Sequence, residues 1–451
     1  MNDIARNDDS QQRLDRLADI SQRLLARARA LGATQAEVSC SEERGLNVSV
    51  RMGEVETVES SNDRGIAVTV YFGKRKGSAS TADLHEASLA ATVEQACAIA
   101  RYTEDDEAAG LADAELMARE FPDLDTWHPW RLDADEAVEL ALACEAAGRE
   151  ADPRVTNSDG ASFGSGESLS VYANSHGFIG RERETQHSLG LALIAGQGEE
   201  MQRDGWYSIG LAREDLETPV AIGRRAAERA VSRLQPRSIA TGEYPVLFSA
   251  EVARSLVGHL LGAVSGGALY RRASFLLDSV GTRLFPEWLS ILEHPLMLHG
   301  LRSSVFDADG VATRDNPLVV DGILQRYVLG SYSARKLGLQ STANAGGVHN
   351  IEVTANAGSL AEMARGMGRG LLVTELMGQG INGVTGDYSR GAAGFWIEDG
   401  QVAFPVDELT IAGNLRTMFL DIEAVGSEAD LRSHVRTGPI LVGRMTVAGA
   451  D

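Results

Sequence analysis

Residues 371–398 read LLVTELMGQGINGVTGDYSRGAAGFWIE, an apolar strand-like run that feeds a glycine-rich segment and returns through Phe395-Trp396-Ile397. Six glycines fall from Gly378 to Gly394. Glycine at this density opens positive φ and lets another chain approach closely, so the segment reads as a contact surface for a ligand or partner. Gly378-Gln-Gly380-Ile-Asn-Gly383 has the spacing of the dinucleotide fingerprint. That fingerprint holds pyrophosphate on the N-terminus of a following helix, and here more glycine follows, so nucleotide binding is set aside. The run continues to Phe404 through Asp399-Gly400, and residues 318–328 repeat the pattern around Asp321-Gly322. An Asp-Gly pair between apolar runs predicts a tight hairpin. The C-terminal half, 239–451, is therefore expected to be mainly antiparallel β, a curved sheet or barrel. Helices are expected over 251–265, 360–367 and 414–422, giving an α+β protein.

The N-terminal half reads as a duplication. A helix over 11–31 precedes strand-like runs at 37–41, 46–51, 55–60 and 66–72 and a helix over 84–101. The order recurs with a helix over 133–150, strands at 169–173, 178–186, 188–195 and 206–211, and a helix over 219–234. Two such α+β units, 1–102 and 132–238, can join their strands in one sheet. Between them 103–131 carries Glu104-Asp-Asp-Glu107, Pro122 and Pro129, and reads as an exposed acidic linker whose charges are solvated.

At 451 residues the chain is long enough for two or three domains. A net charge of −22, from 64 acids against 42 bases, argues against nucleic acid and anionic membrane as partners. No apolar run approaches a membrane span, and the N-terminus Met1-Asn-Asp-Ile-Ala-Arg6 lacks the apolar core of a secretory signal. Three unpatterned cysteines, Cys40, Cys97 and Cys144, fit a reducing compartment, so a cytoplasmic location is expected.

A zinc peptidase needs two imidazoles on a rigid element, a third ligand, an open position and a carboxylate base. None of the nine histidines supplies that set. His85-Glu86 opens like a zincin motif but continues Ala-Ser-Leu-Ala. His294 and His299 have the right separation, yet Pro295 stands where the base belongs and disfavours a helix. Ser333-Ala-Arg-Lys336 has the S-x-x-K spacing of a lysine-activated serine, but Lys-Thr-Gly, Ser-Asp-Asn and a G-x-S-x-G elbow are absent. Its plainer reading is a capped polar turn after a strand over 323–329.

The 371–398 segment, with Ser331-Tyr-Ser-Ala-Arg-Lys-Leu-Gly338, Ala345-Gly-Gly-Val-His-Asn350 and Thr410-Ile-Ala-Gly-Asn-Leu415, closely resembles the PmbA (TldE) branch of the TldD/PmbA family. The resemblance runs nearly end to end and is densest over 243–448. It implies a soluble bacterial protein in a TldD–PmbA assembly that proteolyses small or unfolded peptides, including modified peptide antibiotics. It also implies that zinc, bound by His-Glu-x-x-x-His, belongs to a TldD-like partner, with no cofactor in this chain. In family order the metal helix is the first after the strand at 243–248. Here that helix carries His259 with no adjacent Glu, and Ser255, Gly258, Gly262 and Ser265 form a small-residue stripe suited to tight packing.

The expected surface for peptide or partner comprises Gly380, Asn382, Asp387, Tyr388 and Arg390, with His259, His349 and Asn350 as further candidates. Arg390 is suited to a carboxylate, and a glycine-rich sheet edge is suited to an added peptide strand. Turn formation is the competing role of these residues. Three functions follow: a non-catalytic subunit bound to a TldD-like partner, an autonomous metal peptidase with dispersed ligands such as His294, His299 and His349, or a peptide-binding module without hydrolysis. Self-association through the same surface is a further expectation.

Overall fold

The computed structural model describes residues 9–449; the Met1–Arg6 segment lies outside the described residues. The first unit runs α1 (Ser10–Ala30), β1 (Gln35–Arg51), β2 (Glu54–Phe72), β3 (Arg75–Thr81), α2 (Glu86–Tyr102). The second runs α3 (Ala134–Arg149), β4 (Val155–Asn174), β5 (Ile179–Ala195), β6 (Gln202–Gly210), α4 (Pro219–Ser232). Each unit is thus a helix, three strands and a helix. Leu14, Leu17, Leu24 and Ala28 give α1 its buried stripe at three- and four-residue spacing. A capping box between Asp133 and Glu136 starts α3.

All six strands form one antiparallel sheet, ordered β3-β2-β1-β4-β5-β6. The units meet where β1 pairs β4, from Glu37↔Asn174 to Val50↔Ala161. Alternate residues of a strand face opposite sides. Val38 and Cys40 face α1 and α2, while Val48 and Val50 meet α3 and α4. Ser39, Ser41, Ser168 and Ser170 take the other face.

The runs expected at 37–41 and 46–51 are one strand, as are those at 55–60 and 66–72, and β3 is an addition to the expected set. The sheet extends well beyond its core: every residue of Glu54–Asp63 is exposed, so apolar patterning marks only the packed end.

Residues 103–131 are not an exposed linker. Ala112, Met117, Ala118 and Leu124 are buried against Tyr172, Phe178, Phe306 and Val311. Arg335 donates to the carbonyls of Ala108, Gly110 and Leu111. Apolar side chains and free carbonyls within an acidic composition make this segment a strap that joins both halves, and Asp106 is paired with Lys336 at 2.8 Å.

The C-terminal half begins with β7 (Gly242–Phe248), α5 (Ala250–Ala263) and α6 (Gly266–Tyr270). It continues through β8 (Ile291–Glu293), β9 (Val319–Val320), β10 (Ile323–Leu324), α7 (Ser331–Leu337), β11 (Ile351–Val353) and α8 (Leu360–Met367). It ends with β12 (Gly370–Met377), β13 (Asp387–Glu398), β14 (Gln401–Asn414), α9 (Leu415–Leu420), β15 (Ile422–Val425), β16 (Val435–Arg436) and β17 (Ile440–Ala448). β14, β13, β12, β7 and β17 pair in that order, and β14 also pairs β17, closing a five-stranded barrel. β7 and β12 are parallel; the other barrel pairings are antiparallel.

Val246, Phe248, Val373, Trp396, Ile411 and Val447 belong to the main core, whereas Leu247, Leu372 and Ile397 pack against α8. Both Asp-Gly pairs make the expected turns, with φ of 49° and 76° at Asp321-Gly322 and 51° and 73° at Asp399-Gly400. The fold is the α+β arrangement expected, with the curved sheet closed. Residues 331–337 form a helix rather than a turn, after a strand of only two residues.

Candidate functional site

Helix α5 and strand β13 bring together His259, Tyr388 and Arg390. The His259 and Tyr388 rings meet edge to face at 5.9 Å. Tyr388 is 1% exposed, and burial pushes its hydroxyl up to about 12, opposed by Arg390. Burial lowers the His259 pKa and the Arg390 charge lowers it further, so the ring stays neutral at pH 7. His259 Nε2 and Arg390 Nε are buried without a hydrogen-bond partner, and the Tyr388 hydroxyl has none of good geometry beyond the neighbouring Arg390 guanidinium. The adjacent stripe is not packed within the chain: Gly258 and Gly262 are exposed, and a Cβ on either would meet open space.

The 378–387 loop joins β12 to β13. Asn382 Oδ1 accepts from Val384 N at 2.9 Å and Thr385 N at 3.3 Å, and Asp387 accepts from Thr385 Oγ1 at 2.6 Å and Asn414 Nδ2 at 3.1 Å. These contacts hold Asp387 below the usual carboxylate range. A side chain at Gly380 would collide with the Ser389 carbonyl, so the loop closes on itself there. Asn382 and Asp387 therefore shape the turn while remaining exposed.

His349 and Asn350 lie elsewhere: His349, though largely buried, lines a cleft between the two halves of the chain, whereas Asn350 is fully enclosed. Glu293 Oε1 accepts from His349 N at 2.8 Å, lies 2.9 Å from His349 Nδ1 and accepts from Asn344 Nδ2 at 2.8 Å; Arg326 pairs with Oε2. Burial disfavours the Glu293 carboxylate, but His349 and Arg326 hold its pKa below the usual value. Asn350 Nδ2 donates to Ser303 Oγ at 2.8 Å. Lone histidine and asparagine letters after a Gly-Gly pair could not distinguish this polar core from a surface.

Between the serine face of the sheet and the barrel half lies a cleft of about 940 Å³. Glu182 and Glu184, alternate residues of β5, face it with Asp307 and Arg302. Burial raises all three acids, Glu182 to about 7 and Asp307 to about 6. The Arg181-Glu-Arg-Glu184 alternation was the available sequence signal for an acidic strand face.

At another point of the same junction, His299 Nδ1 lies 2.9 Å from Asp125 Oδ2 and Nε2 lies 2.8 Å from Asp215 Oδ2. Partial burial disfavours its imidazolium, but the two carboxylates raise its pKa. His128 Nε2 is 3.1 Å from Asp125 Oδ1. His294 instead neighbours Asp315 at 3.3 Å, so His294 and His299 do not form a metal pair. Ser333 Oγ donates to Gly330 O while Lys336 pairs with Asp106, leaving no serine–lysine couple. The cysteines are buried, with Cys40 raised to about 11 and Cys144 to about 12 by desolvation.

A doubled helix–sheet–helix unit set against a closed barrel defines a TldD/TldE-like architecture. The chain has a TM-score of 0.92 to a proposed modulator of DNA gyrase from Bacteroides thetaiotaomicron, at 27% identity, covering 97% of this chain and 99% of that one. It has a TM-score of 0.84 to TldE from Thermococcus kodakarensis, at 23% identity over 95% and 99% of the two chains, a likeness of fold. Family models match throughout: PmbA/TldA metallopeptidase domain 1 over 36–100, central domain over 127–234 and C-terminal domain over 241–449. Metalloprotease PmbA of Escherichia coli is 49% identical over 414 residues, 92% of each chain. The chain belongs to the TldD/PmbA metallopeptidase family, in its PmbA branch. Among the described residues no helix is long and apolar enough to cross a membrane.

Proposed function

We propose that this chain is the PmbA/TldE-type subunit of a TldD–PmbA metallopeptidase assembly that degrades or matures small unfolded or modified peptides in the cytoplasm. Its own share is peptide binding and assembly, while a TldD-like subunit holds the catalytic zinc. The observation that carries this reading is the grouping of His259, Tyr388 and Arg390, with His259 Nε2 and Arg390 Nε buried and unpaired, beside the bare glycine stripe of α5. Unpaired buried polar atoms are costly, so they favour a contact that completes them. A carboxylate from a peptide terminus or a partner's acidic side chain would accept from all three. Helix α5 also lacks the set for hydrolysis. Its single acid, Glu251, stands eight residues before His259 and is held by Arg229 at 2.8 Å.

The test is hydrolysis of an unstructured peptide by the purified chain, alone and mixed with the TldD-like subunit of the same organism. The lone chain is expected to be inert and the mixture active, with Arg390→Ala lowering the activity of the mixture. Cleavage by the lone chain would overturn the reading. Added free peptide that competes with wild type but not with Arg390→Ala assigns the carboxylate to the peptide; weakened subunit association assigns it to the partner.

A further inference from the structure

Four side chains from three separate parts of the chain meet outside α5 and the β12–β13 hairpin. Asp125 and His128 come from the strap, Asp215 from the turn after β6, and His299 from the loop after β8. We propose that Asp125, His128 and His299 bind one divalent transition-metal ion of the zinc class, with Asp215 orienting His299.

The carboxylate and the two imidazoles offer ligand atoms that all lie within 4.8 Å of one another. Bonds of about 2.0–2.2 Å to zinc place tetrahedral neighbours about 3.4 Å apart. The separations of 2.9 Å from His299 Nδ1 to Asp125 Oδ2 and 3.1 Å from His128 Nε2 to Asp125 Oδ1 run to different carboxylate oxygens, so an ion would draw the carboxylate between the rings and take His128 Nε2 from its 3.1 Å contact with the Asp125 carbonyl. With Nε2–H donated to Asp215 Oδ2, a bound ion would take the place of the Nδ1 proton that otherwise faces Asp125. This is the carboxylate–histidine pairing that fixes tautomer and ring orientation at metal sites. Asp215 is itself held by Ala212 N at 2.8 Å.

Asp125 and His299 both keep left-handed backbone, φ 57° and 55°, a region that non-glycine residues seldom adopt. Side-chain exposure of 30% at His128, 32% at His299 and 56% at Asp125 leaves an entry path and room for water to complete the coordination. Two imidazoles favour zinc, cobalt or nickel over calcium and magnesium, which prefer oxygen. Because the ligands lie far apart in sequence, the ion would pin the strap to the barrel half and, through Asp215, to the second unit.

The test is equilibrium dialysis of the full, untagged, chelator-stripped chain against Zn²⁺, with Co²⁺ absorption as the reporter of coordination. A single equivalent is expected to bind, with ligand-field bands for Co²⁺ and a zinc-dependent rise in Tm. His128→Ala and His299→Ala each abolish these signals, and Asp215→Asn weakens binding about 10–100-fold. His294→Ala leaves binding unchanged. The His128 ring is partly exposed, so the thermal transition of His128→Ala without metal serves as the folding control. Absence of stoichiometric binding, or wild-type affinity in either alanine variant, overturns the proposal and leaves His299 as a protonated bridge between two carboxylates. Neither result bears on hydrolysis by the mixed subunits.

Discussion

Replacing Glu182 with glutamine tests whether the cleft holds a carboxyl group against its preference for water. Desolvation is the main cause of its raised pKa, and the neighbouring Glu184 charge adds to it; the hydrogen bond from Ser304 Oγ opposes both without cancelling them. A rise from 4.5 to about 7 corresponds to about 3 kcal/mol. The folded state binds this proton more tightly than the unfolded state. Its contribution to stability is therefore fully present below pH 4.5 and is lost as pH rises through 7. The amide of the substituted side chain cannot ionise. The stability of Glu182→Gln relative to wild type should climb by about 3 kcal/mol between pH 4.5 and pH 8, with most of the change between pH 5 and pH 7.5. Urea unfolding of both proteins across that range measures the difference, in which groups remote from the cleft cancel and only Glu184 and His349, coupled to Glu182, add smaller changes of their own. Isotope-edited infrared spectroscopy of the carboxyl stretch gives the midpoint directly. A flat difference, or a carboxyl already ionised at pH 5, refutes the reasoning.

Glu293→Gln should cost about 3–5 kcal/mol, because it leaves Arg326 charged and buried without its counter-ion; chemical denaturation at pH 7 measures it. Gly394→Ala should cost about 3 kcal/mol, the upper end for an overpacked site, since its Cβ would collide with the Leu372 carbonyl across the β12–β13 pair. The loss should appear as a lowered Tm. Tyr388→Phe removes a buried hydroxyl whose one neighbour, Arg390, makes no bond of good geometry with it, so the stability of the lone chain should change by no more than about 1 kcal/mol. The same substitution should lower peptide hydrolysis in the mixture with the TldD-like subunit, separating interaction from folding.

Local chemistry made the hairpins legible. Asp321-Gly322 and Asp399-Gly400 demand left-handed backbone at both central residues, and the structure supplies it. Amphipathic spacing likewise exposed α1, whereas α5 follows from its position after the strand at 243–248 in the family order. Strand lengths were less readable, because β2 runs through ten exposed residues before Val68 and Val70 reach the core. β3, Arg-Lys-Gly-Ser-Ala-Ser-Thr, has little apolar alternation. Its Gly77 answers to the backbone of α2, where a Cβ would collide with Ala96 O, and that is a tertiary requirement. The convergence of His259, Tyr388 and Arg390 was partly visible, since all three were candidates. The burial of His349 and Asn350 was not visible, because it depends on Glu293 and Arg326 arriving from other segments. Asp125, His128, Asp215 and His299 have no shared motif, and only the docking of the strap makes them neighbours.

The β1–β4 seam has an ancestral implication. Fourteen residue pairs cross it, and each side is the first strand of its own unit. A gene encoding the first unit alone would yield a product with this long edge open, and the best complement for that edge would be the same edge on a sibling molecule. Fusion of two such genes would turn a concentration-dependent homodimer into an intramolecular partnership and free each half to diverge, the first around α1 and α2, the second around α3, α4 and the acidic face of β5.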